Sequence, residues 1–169
     1  MRTLVIGGAR SGKSRAAEML LAGSSDVTYV ATGYPVDDDP EWADRVARHR
    51  ADRPATWSTV ETVDLVGLLA VDGGPLLVDC LTLWLTRVLD AAGAWDTGVS
   101  VAPSTDALVE ALRDTAREVV LVTNEVGQGV VPATASGRRF RDEMGLLNTA
   151  VAAVCDDVLW CVAGRTVRL

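Results

Sequence analysis

Among 169 residues there is one lysine, Lys13, and one histidine, His49; every other basic side chain is arginine. Cysteine is nearly as scarce. Cys80, Cys155 and Cys161 are odd in number and show no CxxC spacing, which argues against a disulfide framework or a zinc ribbon and for small reduced core residues. No apolar run is long enough to span a bilayer, so a mean hydropathy of +0.20 with 49% hydrophobic residues is read as core rather than membrane. The opening residues lack a cleavage site of the signal-peptide kind, which makes a cytoplasmic location the expectation. A formal net charge of −7 argues against a general affinity for nucleic-acid backbone. Internal repeats and low-complexity tracts are also missing. The length fits one domain over residues 1–169, large enough to bury a continuous core.

What is present alternates between short apolar runs and helical patterns. Residues 3–6 read as a strand, followed by a glycine-rich turn and a helix over residues 13–22. Residues 27–31 read as a second β-rich run, and an acidic loop at 35–40 leads to a helix over 41–51 opened by Pro40. A helical stretch at 62–70 precedes Pro75 to Asp79, an apolar run closed by a carboxylate, as a buried parallel strand would be. Helices are expected at 80–92, 105–117 and 137–154, strands at 118–123 and 157–162, and a last short strand after Gly164-Arg165. Residues 93–104 read as a connection. The alternation predicts an α/β fold with a mostly parallel sheet flanked by helices. In such sheets ligands bind beyond the carboxyl ends of the strands, so residues just after Ile6, Ala31, Asp79 and Thr123 should line one site. That reading brings in Thr32, Gly33 and Tyr34.

Gly7-Gly8-Ala9-Arg10-Ser11-Gly12-Lys13-Ser14 satisfies the G-x-x-x-x-G-K-[ST] pattern between a strand and a helix, the context this phosphate-binding loop requires. Glycines let the backbone curl so that successive N–H groups face phosphate, and the helix adds its positive dipole end. Lys13 would reach the β- and γ-phosphates, and the Ser14 hydroxyl would ligate Mg²⁺. Asp79, after Leu76-Leu77-Val78, is the strand-end acid that P-loop proteins use to hold the metal through water. Glu61 and Glu125 are further acids near strand or loop ends, each open to a site role or an ordinary surface role.

On the helix from Glu41, Trp42 and Arg45 fall on turns next to His49. Nearby guanidinium groups oppose another positive charge, which keeps an imidazole neutral and nucleophilic. Arg50 and Arg53 belong to the same basic segment and can grip phosphate oxygens bidentately. The competing reading is a solvated basic face with an incidental histidine, and spacing alone leaves both open.

Taken together, the loop at 7–14, Ala31-Thr32, His49-Arg50-x-x-Arg53-Pro54, Trp57-x-Thr59-x-Glu61 and Asp79-Cys80-Leu81-Thr82 closely resemble the adenosylcobinamide kinase/adenosylcobinamide-phosphate guanylyltransferase family. The later stretches Val122-Thr123-Asn124-Glu125-Val126-Gly127-x-Gly129, Arg139-Phe140-Arg141-Asp142 and Asn148 extend the likeness along the chain. The P-loop is generic; the histidine-arginine and Thr-Asn-Glu-Val-Gly segments are specific. The resemblance implies a RecA-like three-layer P-loop fold, a homotrimer, and a bifunctional enzyme of cobalamin biosynthesis. One activity phosphorylates adenosylcobinamide with ATP or GTP. The other transfers GMP from GTP, through a guanylylated histidine that maps onto His49, to give adenosylcobinamide-GDP and pyrophosphate. It also places Arg50, Arg53, Glu61 and Asp79 with residues 7–14 and 32–34 around the nucleotide. Where some relatives carry adjacent histidines this chain has Arg48-His49, and its ending Gly164-Arg165-Thr166-Val167 departs from the usual one.

Three other readings compete with that one. A simple small-molecule P-loop kinase needs no histidine. An enzyme retaining only guanylyl transfer would share all these residues. A nucleotide-gated switch is disfavoured, because no Asn-Lys-x-Asp segment for reading guanine is present.

Overall fold

Apolar runs that show no alternation need cover on both faces, and the strands have it. The computed structural model describes residues 1–35 and 54–169. In chain order these form β1 (Arg2–Gly7), α1 (Lys13–Leu20), β2 (Thr28–Ala31), β3 (Ser58–Glu61), α2 (Leu65–Leu69) and β4 (Leu76–Asp79). There follow α3 (Leu81–Ala91), α4 (Ala102–Asp114), β5 (Val119–Asn124), α5 (Ala135–Ala152), β6 (Asp157–Val162) and β7 (Arg165–Arg168). The strands make one seven-stranded sheet in the order β3-β2-β4-β5-β1-β6-β7. All pairings are parallel except β6 with β7.

Successive side chains of each central strand enter different cores. Leu4, Val30, Leu76, Val78, Val119 and Leu121 pack under the buried faces of α2, α3, α4 and α5. Val5, Tyr29, Leu77, Val120 and Val122 pack on the other side with Ala17 of α1. The helices fit this by pattern. In α3, Leu81, Trp84, Leu85 and Leu89 are buried at near-helical spacing. In α5 the buried set is Met144, Leu147, Asn148 and Val151.

The parallel, helix-flanked sheet expected from the sequence is present, with differences at the edges. The run Ser58–Glu61 forms strand β3, where the sequence reading gave no strand; all of it but Val60 is polar, and it pairs with β2 alone. Helix α4 begins at Ala102 rather than 105 and ends at Asp114, with Pro103 in its first turn, where a missing N–H costs no hydrogen bond. The helix expected at 41–51 lies outside the described residues. Among the described residues no helix is long and apolar enough to cross a membrane.

One feature of the topology locates the site. Helix α1 leaves β1 onto one face, while α5 follows the adjacent strand β5 onto the other. A crevice therefore opens at the carboxyl ends of β1 and β5, where Gly7 pairs in register with Asn124.

Candidate functional site

The loop from Gly7 to Ser14 starts where β1 is most crowded. A Cβ on Gly7 would stand 2.5 Å from Ser11 Oγ and 2.6 Å from the Cys161 carbonyl oxygen, while a Cβ on Gly8 would meet nothing within 4 Å. Gly7 is thus required by the protein and Gly8 faces open space. The turn passes through Arg10 at φ 56° and Gly12 at φ 91°, both left-handed, and glycine takes up the second without steric cost. A single Gly7→Ala change should therefore displace the loop, since the Cys161 backbone cannot rotate away as Ser11 can. We expect at least about tenfold weaker binding of a nucleoside triphosphate and about 1–3 kcal/mol lower stability, read by calorimetric titration and urea unfolding. Unchanged affinity would show that the loop tolerates the shift.

Beyond Gly12, helix α1 has no side-chain cap and no acidic residue in its first turn. Its dipole end thus meets the loop without an N-cap side chain or an acid of its own first turn, as an anion site favours. Lys13 Nζ reaches back across the loop to donate to the Gly8 carbonyl at 3.1 Å. The loop is braced from the β6–β7 turn, where Gly164 N donates to Ser11 O at 3.0 Å.

Across the crevice, Asp79 ends β4 and accepts a hydrogen bond from Tyr29 Oη at 3.1 Å, which orients its carboxylate. In register Ala31 lies between Asp79 and Glu61, so the two acids sit at strand ends on either side of β2, roughly 10 Å apart along the sheet. Thr32 is fully buried; its hydroxyl donates to Cys80 O at 2.6 Å and accepts from Cys80 N at 3.0 Å, tying the end of β2 to the start of α3. Arg87 of α3 donates to Gly33 O at 3.1 Å and lies 5.0 Å over the Tyr34 ring. The Tyr34 hydroxyl in turn donates to Asp90 at 2.5 Å. This bond raises the phenol's pKa, and it lowers that of Asp90, which the Trp95 indole lowers further.

The structure therefore brings the loop, Thr32, Gly33, Tyr34, Glu61 and Asp79 to one end of the sheet. His49, Arg50 and Arg53 lie outside the described residues. Cys80 and Cys161 are buried free thiols and Cys155 is half-buried. Burial and the Asp79 charge push the Cys80 thiol up, and burial pushes Cys155 up to about 12. Neither is poised as a thiolate, consistent with core roles. Among the described residues no group of three His, Cys, Asp or Glu side chains could cage a metal.

A positioning network went unread in the sequence. Thr82 Oγ1 accepts from Asn124 N at 3.1 Å, Asn148 Nδ2 donates to Asn124 O at 3.1 Å, and Thr123 Oγ1 donates to Asn148 Oδ1 at 2.7 Å. Glu125 N donates to Gly7 O at 3.2 Å. The Thr-Asn-Glu segment thus fixes the end of β5 against the start of the phosphate loop. The segments that carry the family likeness hold Thr82, Thr123, Asn124 and Asn148, but their spacing does not show that these side chains meet.

Comparison with known proteins bears on the family and the fold. The family model described as cobinamide kinase / cobinamide phosphate guanyltransferase matches residues 3–169. The bifunctional adenosylcobalamin biosynthesis protein CobP of Pseudomonas aeruginosa is 46% identical over 174 residues, covering 100% of this chain and 97% of that protein. The bifunctional adenosylcobalamin biosynthesis protein CobU of Salmonella typhimurium is 39% identical over 182 residues, covering 100% and 99%. Among solved structures, a prototypical ATPase from a bacterial type III secretion system superposes with a TM-score of 0.62 at 14% identity. The match covers 94% of this chain and 50% of that one, a likeness of fold alone.

Proposed function

The chain belongs to the cobinamide kinase / cobinamide phosphate guanyltransferase family, and on that premise we propose how its residues divide the two reactions. The protein is a bifunctional enzyme of cobalamin biosynthesis, a kinase and a guanylyltransferase on a RecA-like P-loop fold. The observation that carries the residue assignment is the loop itself: an uncapped α1 N-terminus, an open Gly8 and Lys13 arched over the turn.

In the kinase step the adenosylcobinamide hydroxyl oxygen attacks the γ-phosphorus of ATP or GTP, the bond to the β-phosphate oxygen breaks, and the hydroxyl proton is lost. Backbone amides of the loop and the Lys13 ammonium hold the phosphates in line, so positioning and charge stabilisation do most of the work. In the guanylyl step a neutral His49 nitrogen attacks the α-phosphorus of GTP and pyrophosphate leaves. A phosphate oxygen of adenosylcobinamide phosphate then attacks that phosphorus, the N–P bond breaks, and adenosylcobinamide-GDP forms. Covalent catalysis splits one difficult displacement into two. Arg50 and Arg53, next to His49 in sequence, offset charge on the leaving pyrophosphate; Gly33, Tyr34 and Glu61 bound the nucleotide from β2 and β3, and Thr32, fully buried, positions the end of β2 behind them.

The donor set fits Mg²⁺, which takes few protein ligands and keeps waters and phosphate oxygens. Ser14, in the first turn of α1, and Asp79, held by Tyr29, would hold it. Mg²⁺ bound there would neutralise charge on the phosphates.

The test is incubation with Mg²⁺ and GTP labelled at the α-phosphate, followed by denaturation and peptide mapping. Acid-labile, base-stable label on the peptide holding His49 is expected. Demonstrated GTP binding without any label would remove the covalent route and leave a simple kinase.

A further inference from the structure

Residues 93–104 carry no motif, yet Trp95 and Asp96 form one side of an open surface cavity of about 590 Å³. Its lining joins three segments: Thr86 of α3, Trp95 and Asp96 of the loop, and Thr134, Ser136 and Phe140 at the start of α5. We propose that this cavity binds the corrin periphery of cobinamide, its ring edge and carboxamide side chains; the assignment rests on the family reading above.

Position is the first argument. Helix α3 starts directly after β4 ends, and α5 meets the end of β5 through Asn148, so both helices border the crevice. Thr86 lies one turn, about 6 Å, along α3 from Thr82, and Thr82 holds the Asn124 amide beside Gly7. The cavity is on the α3–α5 face, whereas the phosphate loop turns into α1 on the other. On this assignment a bulky acceptor approaches the phosphates from the face opposite α1.

Chemistry is the second. Phe140, the only phenylalanine in the chain, stacks on Trp95 with centroids 6.0 Å apart at 29°. These half-buried rings offer an apolar wall for a hydrocarbon macrocycle. Around them stand groups suited to primary carboxamides: the exposed Asp96 carboxylate accepts from amide N–H, and Thr134 and Ser136 hydroxyls donate to amide oxygen. A cobalt(III) corrin with one adenosyl ligand carries net positive charge, which the Asp96 carboxylate complements.

The wall is also built firmly. Arg139 of α5 donates to the carbonyls of Thr97 and Val99 and pairs with Glu143 at 3.3 Å, clamping the loop to the helix. The Trp95 indole donates to Asp90 at 2.6 Å, the same carboxylate that holds Tyr34. A preformed wall lowers the ordering cost of binding.

The experiment is equilibrium dialysis of adenosylcobinamide, read by its own absorbance, alongside α-labelled GTP incorporation, on wild type, Ser136→Trp and Asp96→Ala. The tryptophan should fill the cavity and weaken corrinoid binding at least about tenfold, and the alanine should weaken it a few-fold, both with GTP labelling intact. Asp96 is exposed in a loop, so its variant keeps the test decisive even where Ser136→Trp fails to fold. Unchanged corrinoid binding in the folded variants would overturn the assignment. Weakened GTP labelling with intact corrinoid binding would overturn it too, placing the guanine base in the cavity. Wild type that binds corrinoid but never carries GMP would instead count against the covalent mechanism, leaving the binding result to decide the cavity.

Discussion

A His49→Ala variant should carry no GMP after incubation with GTP and should lose guanylyl transfer by at least about a thousandfold, while still phosphorylating adenosylcobinamide. The asymmetry follows from where each bond forms. Attack at the α-phosphorus needs a nucleophile that the protein supplies, and alanine has no lone pair to offer. Direct attack by the corrinoid phosphate remains possible in principle, but two anions must then meet without an intermediate to divide the barrier. Attack at the γ-phosphorus uses the substrate's own hydroxyl, which the histidine does not supply. As the only histidine, His49 has no neighbour able to take over. Separate assays of phosphorylation and of GMP transfer distinguish the outcomes. Retained label would move the nucleophile to another residue. Loss of both activities in a folded variant would mean that the segment around His49 also completes the kinase site.

Much of this architecture was legible because its physical demands are local. A strand buried on both faces must be continuously apolar, and Leu76 to Val78 and Val119 to Val122 are. A phosphate loop must combine glycine, lysine and serine at fixed spacing, and residues 7–14 do. Strand β3 was not legible, because Ser58–Glu61 gains its identity from pairing with β2 rather than from its own pattern. The same holds for the Thr82, Asn124 and Asn148 contacts, which join residues 24 and 42 positions apart. Neither of these bonds leaves a periodic trace. The Trp95–Phe140 wall is the extreme case, since a loop without a motif and a helix far from it in sequence make it together. His49, Arg50 and Arg53 had their roles from resemblance, and they lie outside the described residues.

Lys13→Ala should depress both reactions together, each by about a hundred- to a thousandfold, the usual loss for one donor aimed at developing phosphate charge. In the structure the ammonium spans the loop to Gly8 O at 3.1 Å, so a short swing carries it to bound phosphate. In the kinase step it faces charge on the β–γ bridge; in the guanylyl step the same β- and γ-phosphates leave as pyrophosphate. One cation therefore serves two leaving groups, provided that both reactions use this loop. Lys13→Arg is not expected to rescue, because a planar guanidinium does not replace a compact ammonium where the loop curls tightly. The chain's composition adds a second readout. With no other lysine, an amine-acylating reagent has only Lys13 and the N-terminal amine to modify, and GTP should protect the first. The diagnostic comparison is the ratio of the two losses. Equal losses place both chemistries on one loop, with the nucleotide shifted between them. A variant that loses phosphorylation but keeps GMP transfer would require a second nucleotide site, and the single loop at residues 7–14 would then belong to the kinase alone.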